Sequence, residues 1–129
     1  FFEIDGVPMP SVPGGAHWGG GLWISSLDHA RMGQLIVQRG AWEGKQLLPA
    51  AWIDSLSKPC PVKPTYGLLW WLNTGGTHYD KAPETSFFAQ GAGQNIVWID
   101  PALKLVVVTR WIDARKVNDF AGRVMASLA

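Results

Sequence analysis

Cysteine is almost missing: Cys60 stands alone, which excludes an intrachain disulfide and leaves a structural zinc site without its thiolates. Charge is scarce too, with 16% of residues charged and a net charge of only +1. The basic residues are scattered, so the electrostatic footprint of a nucleic-acid binder is lacking. No apolar run is long enough to cross a bilayer, because Asp100, Pro101 and Lys104 interrupt the stretch from Ile96 to Trp111. Phe1-Phe-Glu-Ile-Asp5 has neither the basic start nor the long apolar segment of a secretory leader. His17, His29 and His78 fall in no metal-ligand spacing. Gly91-Ala-Gly93 is no phosphate loop, since it completes no G-x-G-x-x-G and precedes no Gly-Lys-Ser/Thr. The expectation is therefore no metal, no cofactor and no nucleic-acid partner.

What is present is apolar. Hydrophobic residues make up 47% of 129 positions, enough for one domain with a real core. So little charge points either to an apolar cleft or to a surface that packs against more protein. The opening Phe1-Phe2 pair, with no initiating methionine, reads as the interior of a longer polypeptide.

Residues 1 to 21 are dense in proline and glycine and predict an irregular, turn-rich segment. Ser25 or Ser26 can cap a helix over 27–39, with Asp28 in its first turn and Gly40 as its stop. Leu27, Ala30, Leu35 and Ile36 supply its apolar face. Pro49 opens a shorter helix with Trp52, Ile53 and Leu56 on one side. Tyr66-Gly-Leu-Leu-Trp-Trp-Leu72 reads as a buried strand, followed by the loop Asn73 to His78. Further strands are expected near 87–90, 94–99 and 105–111, with Asp100-Pro101 turning between the last two. Val117, Phe120, Val124 and Leu128 recur at helical spacing and predict a closing amphipathic helix. The pattern is α+β: helices, an antiparallel sheet, then a helix packed back on it.

Candidate nucleophiles are poor. Ser55-Leu-Ser-Lys58 matches S-x-x-K, in which a lysine one turn on takes the serine proton. It lies at the end of a short helix just before Pro59, so the match reads as coincidence. Ser25, Ser26, Asp28 and His29 sit within five residues, whereas triad partners assemble from separated elements. A capping serine with a solvent-facing Asp-His pair is the simpler expectation. The eight tryptophans are read mostly as packing residues, with Trp18, beside His17, and one of Trp70 or Trp71 as pocket walls.

Several segments taken in order carry a resemblance. Gly19-Gly-Gly-Leu-Trp23 leads into Asp28-His-Ala-Arg-Met-Gly33, similar to a glycine-rich segment feeding a D-x-A-R-x-G helix. Gln46-Leu-Leu-Pro-Ala-Ala-Trp52 resembles an L-L-P-x-x-W helix start, and Tyr66 to Trp71 a Y-G-x-x-W-W strand. Phe88-Ala-Gln-Gly-Ala-Gly-Gln-Asn95, ending at Asp100-Pro101, resembles a β3–β4 hairpin. Together they cover nearly the whole chain and resemble the C-terminal part of the serine β-lactamase and penicillin-binding-protein superfamily, on the side of class C β-lactamase-like enzymes, esterases and nylon-oligomer hydrolases.

The resemblance implies a transpeptidase-type fold in which a serine upstream forms an acyl-enzyme with esters, amides or β-lactam-like substrates. Residues 1–129 would be the C-terminal portion of that domain, inactive alone, with the remaining N-terminal polypeptide as its partner. Ala89-Gln90-Gly91 occupies the place of the family's K-T-G strand motif. The backbone amide of Ala92 would be one of two oxyanion-hole donors, and Ala89, Gln90, Gly91, Trp18 and His17 would border the substrate. Losing lysine and threonine there weighs against penicillins and favours small esters or amides with uncharged acyl groups. An uncovered apolar half-cleft would also drive self-association. The alternative is a freestanding tryptophan-rich module that binds carbohydrate or an apolar ligand.

Overall fold

The computed structural model describes the backbone of residues 2–4 and 7–9 and all of residues 24–129. Near the start, β1 (Phe2–Ile4) and β2 (Val7–Met9) pair antiparallel. An irregular segment was expected there; Asp5-Gly6 between the two runs is a hairpin signal. The glycine-rich stretch after Met9, with His17 and Trp18, lies outside the described residues.

Helix α1 (Ser26–Val37) starts where Ser25 accepts a bond from the Asp28 amide at 3.1 Å. It ends at Val37, two residues short of the expected 39, because Arg39 itself takes the left-handed conformation at φ 54°. The Arg39 amide then donates to Ile36 O and the Gly40 amide to Leu35 O, at 2.9 and 2.8 Å, which satisfies the last orphan carbonyls. A small hairpin follows, β3 (Ala41–Trp42) with β4 (Lys45–Gln46), then α2 (Ala50–Leu56). The rest is β5 (Trp71–Leu72), β6 (Phe87–Gly91), β7 (Asn95–Asp100), β8 (Leu105–Thr109) and α3 (Val117–Ser127). The strands β5-β6-β7-β8 form one antiparallel sheet in that order. The α+β class with an antiparallel sheet is as expected.

Strand alternation divides the core in two. Phe87, Val97 and Ile99 face α1 and α2 and pack with Ile36, Ile53, Leu56, Trp70 and Leu72. Phe88, Ile96 and Trp98 face α3 and pack with Val117, Ala121 and Ala82. Because β7 is covered on both faces, its sequence is a nearly continuous apolar run rather than an alternating one. That double cover accounts for much of the apolar composition. Helix α1 approaches β8 closely at Gly33, where a Cβ would stand 2.5 Å from a Val106 methyl.

Several expected contacts fall elsewhere. Tyr66 to Leu72 is not one strand: the Gly67 amide donates to Trp70 O and the Leu72 amide to Thr65 O. Those bonds fold the stretch into its own hairpin, leaving Leu68 and Leu69 exposed at the tip and only Trp71–Leu72 for the sheet. Trp52 is 53% exposed although Ile53 and Leu56 are buried, since the seam of this seven-residue helix is only two side chains wide. On α1 the seam runs through Gly33 and Ile36, leaving Leu27 exposed. The α3 seam runs through Val117 and Ala121 with Val124 and Met125 beside it, leaving Leu128 exposed. Strand β8 ends at Thr109 rather than Trp111, because Arg110 turns to donate to Ile24 O at 2.9 Å and Trp111 adopts φ 53°.

Candidate functional site

Strand β6 carries the site. Its residues alternate across the sheet, so the half-buried Ala89 joins the α1–α2 core while the Gln90 side chain emerges on the other face. Backbone groups alternate as well, along the sheet edges. The Ser86 carbonyl accepts from the Asn73 amide at 3.0 Å, on the β5 side. By that alternation Phe88 and Gln90 also turn their backbone groups toward β5, and Phe87, Ala89 and Gly91 turn theirs toward β7. Yet β5 reaches only Phe88, which pairs with Trp71. Beyond that point the Gln90 edge has no strand partner among the described residues. Ala92, the next residue but one, already belongs to the turn that follows β6.

The turn after β6 is tightly held. Gly91 pairs with Asn95, which leaves Ala92, Gly93 and Gln94 as the loop. Gly93 and Gln94 adopt φ 73° and 55°. The Asn95 side chain donates to Ala92 O at 2.7 Å and accepts from the Trp111 amide at 3.3 Å, while Thr109 donates to Gln94 O at 3.2 Å. The Trp111 ring lies over Gly93, so close that a Cβ there would sit 2.2 Å from its carbons. Gly91 differs: it has an ordinary φ, and a Cβ would meet nothing nearer than Asn95 O at 4.0 Å. Gly91 and Ala92 are exposed, and no acceptor for the Ala92 amide is found among the described residues.

Side chains that sequence reading left out of the site converge on Gln90. Its amide oxygen meets His78 Nε2 at 2.9 Å and accepts from the Tyr79 hydroxyl at 3.2 Å. Its amide nitrogen donates to Gln94 Oε1 at 2.5 Å. His78 stacks on Trp71, with centroids 5.5 Å apart and planes within 9°, and meets the Tyr79 and Phe88 rings at 4.4 and 5.2 Å. Lys63 Nζ lies 4.3 Å from the Trp71 ring centroid. Burial holds the His78 pKa below the ordinary histidine value; the Gln90 bond opposes this and Lys63 reinforces it. Burial pushes the Tyr79 hydroxyl up, again against the bond to Gln90. Both shifts favour the uncharged forms, and toward the Gln90 oxygen each group can act only as a donor. Twelve residues separate His78 from Gln90, and no short spacing reveals such a pair. The loop between them is closed by Asn73, which donates to Tyr79 O, Ala82 O and Pro83 O and accepts from the His78 and Tyr79 amides.

The other candidates stay apart. Ser55 Oγ donates to Trp52 O at 2.6 Å inside its own helix. Ser25 caps α1, and Asp28 pairs with Arg31 at 2.5 Å. Asp28 and His29 are half-buried rather than solvent-facing. Burial, then nearby Arg110, lowers the His29 pKa, and Asp28 opposes them. Among the described residues no cluster of three or more metal-ligating side chains occurs, and no helix is long and apolar enough to cross a membrane. Trp70 and Trp98 are buried in the two cores, whereas Trp111 is 76% exposed above the Gly93 turn. Compared with known proteins, the chain matches no protein-family model and no curated sequence.

Proposed function

We propose that this chain is the C-terminal part of a serine hydrolase that works through an acyl-enzyme on small esters or amides. Strand β6 forms one wall of the cleft, and the Ala92 amide is one donor to the developing oxyanion. The nucleophilic serine and its base come from the remaining N-terminal polypeptide, the partner of this half. The observation that carries the reading is the stretch from Gln90 to Ala92: a strand edge unpartnered at Gln90, a glycine with open space over its Cα, and then an exposed turn residue whose amide has no acceptor among the described residues. One amide aimed at an oxyanion contributes about 3 kcal/mol to the transition state, whatever side chain it carries, so lysine and threonine at positions 89 and 90 are dispensable for acyl transfer. The test joins this chain to its N-terminal polypeptide and follows p-nitrophenyl ester hydrolysis. Turnover lost on replacing the upstream serine, and cut by roughly two orders of magnitude in Ala92→Pro but not Ala92→Ser, supports the reading. Equal activity of the two Ala92 variants overturns the oxyanion role. Absence of hydrolysis overturns the enzyme.

A further inference from the structure

We propose that His78 and Tyr79 are positioning residues that hold Gln90 as an acyl-recognition donor, selecting substrates whose acyl group carries an uncharged carbonyl. The inference rests on the serine hydrolase reading and adds a substrate class to it. Two donors, His78 Nε2–H and the Tyr79 hydroxyl, converge on the Gln90 oxygen, so the oxygen points inward and the amide nitrogen outward. That nitrogen carries two protons. Gln94 accepts one at 2.5 Å, and the other has no acceptor among the described residues. It emerges two positions before Ala92, at the end of the unpartnered edge. Gln90 is half-buried, so that proton is open to a ligand in place of water.

The clamp matters because a free glutamine side chain loses rotamer entropy when a ligand fixes it. Here that ordering precedes binding. His78 is itself immobilised between Trp71, Tyr79 and Phe88. Removing either donor frees the Gln90 amide to rotate, while the Asn95 and Thr109 bonds that hold the Ala92 turn stay in place. The loss should therefore fall on binding of the recognised acyl group rather than on the chemical step.

The experiment compares two p-nitrophenyl esters of matched acyl length, one an N-acetylated amino acyl ester with an amide carbonyl and the other a plain hydrocarbon acyl ester. It uses the complete enzyme, with melting temperature as a check on folding. Wild type should prefer the amide-bearing ester in kcat/KM by about fivefold to tenfold, one hydrogen bond's worth. Gln90→Leu should abolish the preference. His78→Phe and Tyr79→Phe should raise KM for that ester severalfold with kcat within about twofold, and His78→Gln, which restores an N–H donor, should recover part of the loss. A preference that survives Gln90→Leu overturns the inference. So does a loss in His78→Phe that strikes both esters and kcat alike. Wild type that hydrolyses neither ester overturns the hydrolase reading, a different outcome from active enzyme without the preference.

Discussion

Gly91 and Gly93 stand two positions apart in one hairpin and answer to different constraints. Gly93 is required by the fold, because φ 73° strains any Cβ and the Trp111 ring occupies the space that atom would need. Gly91 is under no such demand within the described chain. Gly93→Ala should therefore destabilise by about 1–3 kcal/mol, whereas Gly91→Ala should stay within about 0.5 kcal/mol of wild type. Urea unfolding of the two variants measures this. On the proposed hydrolase reading, Gly91→Val in the chain joined to its N-terminal polypeptide should cut turnover by orders of magnitude while the melting temperature barely moves, the added side chain then meeting substrate rather than protein. Parallel losses of stability and turnover in Gly91→Val would make it a turn residue only. Sequence alone placed Gly91 beside the substrate and gave Gly93 no role: Trp111 is sixteen residues from Asn95, and its amide bond to that side chain forms only after β8 returns along β7.

At the scale of elements, the loop from Asn73 to Ser86 is the least regular part that bears on the site. Its order comes mainly from one fully buried side chain, Asn73, through five bonds to the loop's own backbone. Asn73→Ala would leave the Ala82 carbonyl and its neighbours without partners in a place water does not reach. Each orphaned buried group costs about 1–3 kcal/mol, so the expected loss is on the order of 3 kcal/mol. Hydrogen exchange should rise at the amides of His78 and Tyr79 while those of β7 keep their protection. Uniformly faster exchange would mean that Asn73 supports the whole sheet instead. The regular elements were legible beforehand because period and capping are local signals: Ser25 before α1, the apolar run of β7, the Asp100-Pro101 turn. What was not legible depended on contacts distant in sequence. Tyr66 to Leu72 has the composition of a strand, but Thr65 and Leu72 bond each other and fold it short. The helix seams also missed, since which of Leu27, Trp52 or Leu128 is buried depends on where each helix crosses the sheet. The Gln90 clamp was out of reach for the same reason, being set by loop closure.

Taken whole, the molecule covers its sheet on both faces and still leaves large apolar side chains in water. Leu27, Met32, Leu47, Leu48 and Trp52 are all at least 36% exposed on the first two helices and the link just before the second. Met32, Leu35, Trp42, Leu47 and the stem of Arg31 line an almost wholly apolar cleft of about 350 Å³. Such patches on single chains usually mark surfaces that meet other protein. With 16% of residues charged and a net charge of +1, little electrostatic repulsion keeps copies apart. The isolated chain is therefore expected to self-associate at tens of micromolar and to bind a dye that reports exposed apolar surface. Met32→Glu with Leu47→Lys should lower both signals without reducing thermal stability, because neither side chain belongs to the two cores. Adding the N-terminal polypeptide of the proposed enzyme should suppress self-association of the unmutated chain if the cleft is part of their shared surface. Light scattering across a concentration series decides the matter. A monodisperse monomer at high micromolar concentration, with no dye bound, would show that these side chains are ordinary exposed residues and that the chain needs no cover.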